Sequence, residues 1–358
     1  MTLLSNQINI GGKAIGNRHP CFIIAEAGVN HNGSLELAKK LIDAAVKAGA
    51  DAVKFQTFKT EDLILNDIEK ATYQKGTTSP SESQTAMLKK LEINKDFPIE
   101  LIKYCEEKEI IFLSTCYEEK SLNLLMDLDV SAIKIASTDT TNLLFLEQVA
   151  RSGKPVILST GMCSHVEIEQ AYNCLKENGC EELALLKCTS NYPTDIKEVN
   201  LRAMLTLKDK FNVITGFSDH TEGIGASPYA VAMGAKVIEK HFTLDKSMDG
   251  PDHQASLSPG ELTAWVEEIR RVEQMLGTRE IVPTEGEKET KNILQKCLVF
   301  SIDLAKGDVL TRENITAKRT GGRGISALEF YRVLGATVKR DVSVDHPLEQ
   351  SHLETRKK

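Results

Sequence analysis

Eight short runs of β-forming residues recur along this chain, and a stretch of helical periodicity follows each one. That alternation restricts the fold more than any other feature. The runs cover 22–30, 52–58, 110–116, 132–137, 155–161, 183–190, 213–220 and 236–244. Most begin continuously apolar, as strands covered on both faces do, and end polar. The intervening stretches carry helix punctuation. Residues 34–48 place Leu35, Ala38, Leu41, Ile42 and Ala45 on one face and stop at Gly49, a left-handed cap. Ser164 with Glu167, and Ser258-Pro259 with Glu261, are capping boxes that open further helices. The resulting fold class is α/β. A parallel (β/α)8 TIM barrel, which takes roughly 250 residues, is expected over 1–282.

Two pieces fall outside the repeat. Residues 59–97 are too long for a simple connection and hold a polar stretch, 77–83, and a short helix, 84–91; a loop of this length at a strand end is a candidate lid. A polar linker over 283–291 then leads to a small domain of mixed β and short helical segments over 292–351.

The 358 residues carry a net charge of -7, which argues against nucleic acid as a partner. The bulk value divides unevenly: residues 283–358 hold 14 Lys and Arg against 11 Asp and Glu, so the acidic excess lies in the barrel. No run approaches the roughly 20 apolar residues of a membrane span, so no membrane partner is expected. The first residues lack the basic start and apolar run of a signal peptide. The eight cysteines are scattered and form no C-x-x-C pair. They read as reduced thiols of a cytoplasmic protein.

Barrel sites sit at the C-terminal ends of the strands, so the eight ends hold the chemistry. They offer Glu26, His31, Lys54 with Gln56, Ser114-Thr115, Lys134 with Ser137 and Asp139, and Ser159. The later ends add Ser190-Asn191-Tyr192, Ser218, His220, Glu239 and His241. Lysines converging with hydroxyls are how a site holds phosphate and carboxylate. His220 and His241 lie on neighbouring strands, within reach of one divalent ion. No glycine-rich nucleotide fingerprint is present. Plainer readings stand beside these. His31 caps a turn or takes part in catalysis. Glu239 is a buried partner of Lys54 or Lys134, or an acid–base group. Lys240 points away from the barrel axis, and Trp265 is packing.

The runs 23–33, 53–56, 216–221 and 238–243, with Gly250-Pro251-Asp252-His253, resemble the sialic acid synthase family. Residues 305–319 resemble that family's C-terminal antifreeze-protein-like SAF domain. The resemblance implies condensation of phosphoenolpyruvate with an N-acetylated mannosamine-type sugar, giving a nine-carbon 2-keto acid and phosphate. The acceptor is N-acetylmannosamine or a diacetamido relative leading to legionaminic or pseudaminic acid. By the resemblance, His220 and His241 bind a divalent metal, Mn2+ with Mg2+ or Co2+ as alternatives. Glu26 handles the proton of the attacking water. Lys54 and Thr115 hold the carboxylate of phosphoenolpyruvate; Lys134, Ser137, Ser159 and Ser218 hold its phosphate. Gln56, Asp139, Tyr192 and Asp252 face the sugar. Arg319 reaches the partner's barrel in a domain-swapped homodimer.

Several positions depart from the family pattern. Asp139 stands where some members carry Glu. Either Ser190 or Asn191 matches the phosphate-side Asn. Cys116-Tyr117 replaces Pro-Phe, Lys187 replaces His, and no Pro follows Arg319. The differences fall mostly on the sugar side, so the donor is better specified than the acceptor. A metal-dependent pyruvate aldolase or lyase is the competing reading, and a non-catalytic sugar-binding protein is a third.

Overall fold

The buried apolar runs form strands because the barrel interior covers one face and the helical layer covers the other. The structure, a computed structural model, describes residues 7–66, 68–70, 75, 78 and 82–354. Of the 77–83 stretch, residues 77 and 79–81 lie outside the described residues. A short hairpin, β1 (Gln7–Ile10) and β2 (Lys13–Gly16), comes first. Eight parallel strands follow: β3 (Phe22–Gly28), β4 (Ala52–Thr57), β5 (Ile111–Cys116), β6 (Ile133–Ile135), β7 (Val156–Ser159), β8 (Leu183–Cys188), β9 (Ile214–Asp219) and β10 (Val237–His241). They pair in chain order, and β10 returns to β3 to close a barrel. This is the TIM barrel expected from the sequence.

Helix signals in the sequence act where they stand. Ser34 caps Leu35–Ala48, and Gly49 ends it at φ +79°. Ser164 and Ser258 each form a complete capping box. Each box is worth about 1 kcal/mol. Trp265 is fully buried in the helix Pro259–Leu276 and packs the outer layer.

The barrel interior is layered. Ile24, Ala52, Leu113, Ala132, Ile157, Ala184, Leu186 and Val237 form its apolar lower layer. Ile8, Ile10 and Ile15 of the hairpin pack into the same cluster at the starts of the strands. The hairpin is pinned there by Lys13 Nζ on Asp51 (2.6 Å) and by Asn9 N donating to Glu182 (3.0 Å). Gly216 belongs to the row as well: a Cβ there would run into Val237 O and the Leu186 side chain.

The chain divides into two compact units, Met1–Gly277 and Thr278–Lys358. The boundary follows the end of the helix at Leu276, earlier than residue 282. The segment read as a linker, 283–291, is mostly helical. Thr284 and Glu287 form a capping box that opens the helix Glu285–Leu294. Its residues are all exposed, so its polarity mimicked a linker. In the second unit β11 (Lys296–Phe300) pairs antiparallel with β12 (Ile315–Arg319) over a core that includes Leu298, Phe300, Leu310 and Val338. All eight cysteines are free. Among the described residues no helix is long and apolar enough to cross a membrane.

Candidate active site

Strand side chains alternate, so the residue two places beyond each apolar interior position also faces inward. On all eight strands that next residue is polar: Glu26, Lys54, Thr115, Lys134, Ser159, Cys188, Ser218 and Glu239. The barrel core thus changes from hydrocarbon to charge within one step. All eight line a cavity of about 380 Å³.

The charges on this floor are interlocked. Lys54 Nζ lies 2.7 Å from Glu26 Oε2 and donates to Thr115 Oγ1 at 2.8 Å. Lys134 Nζ donates to Ser159 Oγ at 2.8 Å and to the Ile135 carbonyl at 3.0 Å. Glu239 lies between the two lysines, 3.7 Å from Lys54 and 3.8 Å from Lys134, and accepts from Ser218 Oγ at 3.0 Å. Burial disfavours the Glu239 carboxylate, but Lys134 and Lys54 outweigh it and hold the group at about 2. Burial disfavours the Lys54 ammonium too, and Glu239 with Glu26 keeps it charged. Burial pushes Glu26 up to about 7 against the pull of Lys54, with Glu239 adding to the rise. Burial lowers Lys134 despite Glu239. Of the two readings of Glu239, the geometry shows the ion-pair partner, and it bridges both lysines.

The rim is built from the strand ends. The His220 and His241 rings lie 5.6 Å apart, and Tyr192 packs on His220 with ring centroids 4.0 Å apart. His220 Nδ1 lies 2.7 Å from the Thr189 carbonyl. A carbonyl only accepts, so Nδ1 carries a proton, and in the neutral ring the lone pair lies on Nε2. Burial disfavours a charge on His220, but Cys188, 3.8 Å from Nδ1, and the Thr189 carbonyl raise its pKa. The surroundings therefore raise the pH at which Nε2 gives up its proton. Burial and the neighbouring His220 hold His241 neutral, and its buried Nδ1 has no hydrogen-bond partner. Asp252 Oδ2 lies 4.0 Å away, in a carboxyl that burial pushes up to about 6.

Thirteen of the sixteen candidate residues line one cavity: Glu26, Lys54, Gln56, Thr115, Lys134, Ser137, Ser159, Ser190, Tyr192, Ser218, His220, His241 and Asp252. Three do not. Asp139 sits behind the wall, accepting from Asn142 and Thr138, and Thr138 lines the cavity in its place. Asn191 is turned away onto Glu198 at 3.0 Å, and of the two alternatives Ser190 is the one that lines the cavity. Arg319 ends β12 in the second unit, where it is exposed. His31 is buried against Phe97, and its Nδ1 accepts from Gly33 N at 3.0 Å. It holds the turn. Lys240 points out of the barrel to a buried contact with Asp219 (3.2 Å) and the Thr221 carbonyl.

Sequence reading missed Cys188 and the wall formed by Val29, Met87, Leu88, Leu91 and Tyr117. The period-two rule finds Cys188, two residues beyond Leu186. The 59–97 segment read as a candidate lid does supply the helix Gln84–Leu91 to the cavity; which of its side chains line it was not legible.

The NeuB family model matches residues 41–281, and the SAF domain model matches 295–354. The N,N'-diacetyllegionaminic acid synthase of Campylobacter jejuni is 46% identical over 325 residues, 90% of this chain and 97% of that protein. The protein of the same name from Legionella pneumophila is 42% identical over 354 residues, 98% of this chain and 99% of that one. The crystal structure of an N-acetylneuraminic acid synthetase from Leptospira borgpetersenii, in complex with citrate, superposes with a TM-score of 0.71 at 37% identity. It covers 80% of this chain and 96% of its own. With this barrel, this order of elements and likeness over nearly its whole length, the chain belongs to the NeuB family of sugar acid synthases and carries a C-terminal SAF domain.

Proposed function

We propose that this enzyme condenses phosphoenolpyruvate with an N-acetylated mannosamine-type sugar, giving a nine-carbon 2-keto acid and inorganic phosphate. The observation that carries this reading is the eight-residue floor. Two buried lysines, each already bonded to a hydroxyl, lie beneath a rim of two histidines and a tyrosine. Charge-assisted bonds to both ends of a small dianion or trianion are the strongest contacts such a floor can make. Lys54 and Thr115 hold the carboxylate of phosphoenolpyruvate. Lys134, Ser159, Ser137 and Ser218 hold its phosphate. Gln56, Tyr192 and Asp252 at the rim face the sugar. Glu26, bonded to Gln56 at 3.3 Å, accepts the proton of the attacking water.

The donor set suits a divalent metal such as Mn2+. The neutral His220 ring would present a lone pair at Nε2, and neutral His241 has a buried nitrogen without a partner. Among the described residues no cluster of three or more His, Cys, Asp or Glu is arranged for a metal, and His220 and His241 are the residues that would hold the ion. When bound, the ion supplies Lewis acidity toward the sugar aldehyde and the attacking water. The residues of the chain orient the two substrates at the right separation. Exposed Arg319 completes the sugar site of a partner subunit in a domain-swapped homodimer. The relatives' names, legionaminic acid synthase among them, support this reaction class. Free thiols throughout are consistent with a cytoplasmic enzyme.

The test is stoichiometry. Phosphate should appear one for one with the 2-keto acid when phosphoenolpyruvate and an acceptor are supplied. Equal turnover with pyruvate would favour an aldolase instead.

A further inference from the structure

Each of the two rim histidines follows a buried charge in the chain. His220 follows Asp219 at the end of β9, and His241 follows Lys240 at the end of β10. The two strands run side by side in register, with Ser218 opposite Glu239 and Asp219 opposite Lys240. Side chains alternate, so Ser218, Glu239 and both histidines face the cavity, while Asp219 and Lys240 face the helical layer. There Lys240 Nζ lies 3.2 Å from Asp219 Oδ1, and the two side chains are 2% and 0% exposed.

Hydrocarbon fills comparable outward positions on other strands, as with Ala25, Phe55, Ile135, Leu158 and Leu185. Phe217 and Ile238, two residues earlier on β9 and β10, do the same. Replacing a buried ion pair by apolar side chains of similar volume is often neutral or stabilising, so packing alone gives no reason for one here. What the pair supplies is direction. Asp219 Oδ1 accepts from N and Oγ1 of Thr221 at 2.9 and 2.6 Å. Its Oδ2 accepts from Ala226 N at 3.1 Å and from N and Oγ of Ser227 at 2.9 and 2.6 Å. Lys240 Nζ donates to the Thr221 carbonyl at 2.6 Å. The residues before and after His220 thus belong to one clasp, and β10 is tied into it through the residue before His241. Gly225, at φ +61°, closes the loop over this clasp. A Cβ there would run into Thr221 Oγ1 and come within 3.1 Å of Asp219 Oδ2 and Lys240 Nζ. His241 Nδ1 has no hydrogen-bond partner, so placement of that ring depends on the backbone that carries it.

We propose that Asp219 and Lys240 are positioning residues, which set the spacing of His220 and His241 for a divalent cation by clasping β9 to β10 from outside the barrel. The assignment rests on the metal reading of the two histidines above and adds what holds them in place. Asp219 and Lys240 act through the backbone and lie on the far side of the sheet from the cavity. Outer partners of metal ligands typically change metal affinity by about 10–100-fold. The charged floor is held separately, by contacts among Lys54, Glu26, Lys134 and Glu239 on the inner face, so the clasp governs the rim and leaves the floor alone.

The experiment titrates the metal-free full-length enzyme with Mn2+ alone, following free Mn2+ by electron paramagnetic resonance, and measures phosphoenolpyruvate binding without metal by calorimetry. The double variant Asp219→Asn with Lys240→Met removes both charges together and leaves no orphaned buried ion. Its Kd for Mn2+ should rise by about tenfold or more, while its metal-free Kd for phosphoenolpyruvate stays within about twofold of wild type. Ser227→Ala removes one bond to Asp219 and keeps both charges; it should raise the Kd for Mn2+ about threefold, and it carries the test if the double variant does not fold. Asp51→Asn disturbs a charge network at the strand starts, where Asp51 meets Lys13 and Arg270, and should leave the Mn2+ Kd within about twofold. An unchanged Mn2+ Kd in the folded double variant, or in Ser227→Ala, would overturn the positioning role. Equal weakening of Mn2+ and phosphoenolpyruvate binding, or a rise in Asp51→Asn as large as in the double variant, would overturn it too, since a general loosening of the barrel would then suffice. Failure of the wild-type enzyme to bind Mn2+ would overturn the metal reading, and the clasp's role with it.

Discussion

Glu239→Gln isolates the floor's electrostatics, because it removes one charge and keeps shape and the Ser218 hydrogen bond. Glu239 faces two ammonium groups at 3.7 and 3.8 Å. At an effective dielectric of about 20, each contact is worth about 4 kcal/mol before the cost of burial. A second route gives the net figure. The carboxyl falls from its ordinary 4.5 to about 2. At about 1.4 kcal/mol per pH unit this corresponds to about 3 kcal/mol. The acid is stronger in the folded state, so this stability is complete above pH 4.5 and is lost as pH falls toward 2. Lys54 keeps Glu26 in the variant, but Lys134 keeps only neutral partners. The expected loss in urea unfolding at pH 7 is therefore about 3 kcal/mol, within the usual range of about 3–5 for breaking a buried charge network. With a slope of about 3 kcal/mol/M the barrel's midpoint falls by about 1 M. Phosphoenolpyruvate should recover much of this, since its negative charge replaces the lost one. A loss below 1 kcal/mol, or equal stabilisation of both proteins by phosphoenolpyruvate, would refute the bridging role.

His220→Ala and His241→Ala should each abolish condensation and metal retention, measured by elemental analysis of the purified protein; normal turnover in either would remove the metal assignment. With Glu26 at about 7 and required as a base, kcat/KM should rise with pH through about 7. Glu26→Gln should lose that limb and most of the activity, and an unchanged profile would assign the proton to another group. Arg319→Ala should raise the KM for the sugar more than that for phosphoenolpyruvate, and the reverse order would contradict the cross-subunit role.

The barrel was legible because its signals are local and repeated. Each of the eight runs contains the strand found there, with ends that coincide or lie up to three residues further in. The floor was legible because alternation along a strand is geometric: Lys54 and Lys134 could point nowhere else once the apolar rows were set. Residues on irregular backbone were less so. Asp139 lies on a 3-10 turn after β6, where the strand's period no longer applies, and it faces Asn142 rather than the cavity. Asn191 lies beyond the end of β8 for the same reason. The hairpin was missed because four-residue strands carry too little pattern, and the helix Glu285–Leu294 because a fully exposed helix has no apolar stripe to read.

The isoleucine plug closes the barrel foot, so among the described residues the cavity opens at the strand ends. Whatever rests on the lysines must arrive before the rim is filled and must leave after it empties. The proposed reaction is therefore ordered in both directions, with phosphoenolpyruvate on first and phosphate off last. Phosphate should then compete with phosphoenolpyruvate but not with the sugar, and excess acceptor should trap the donor on its floor.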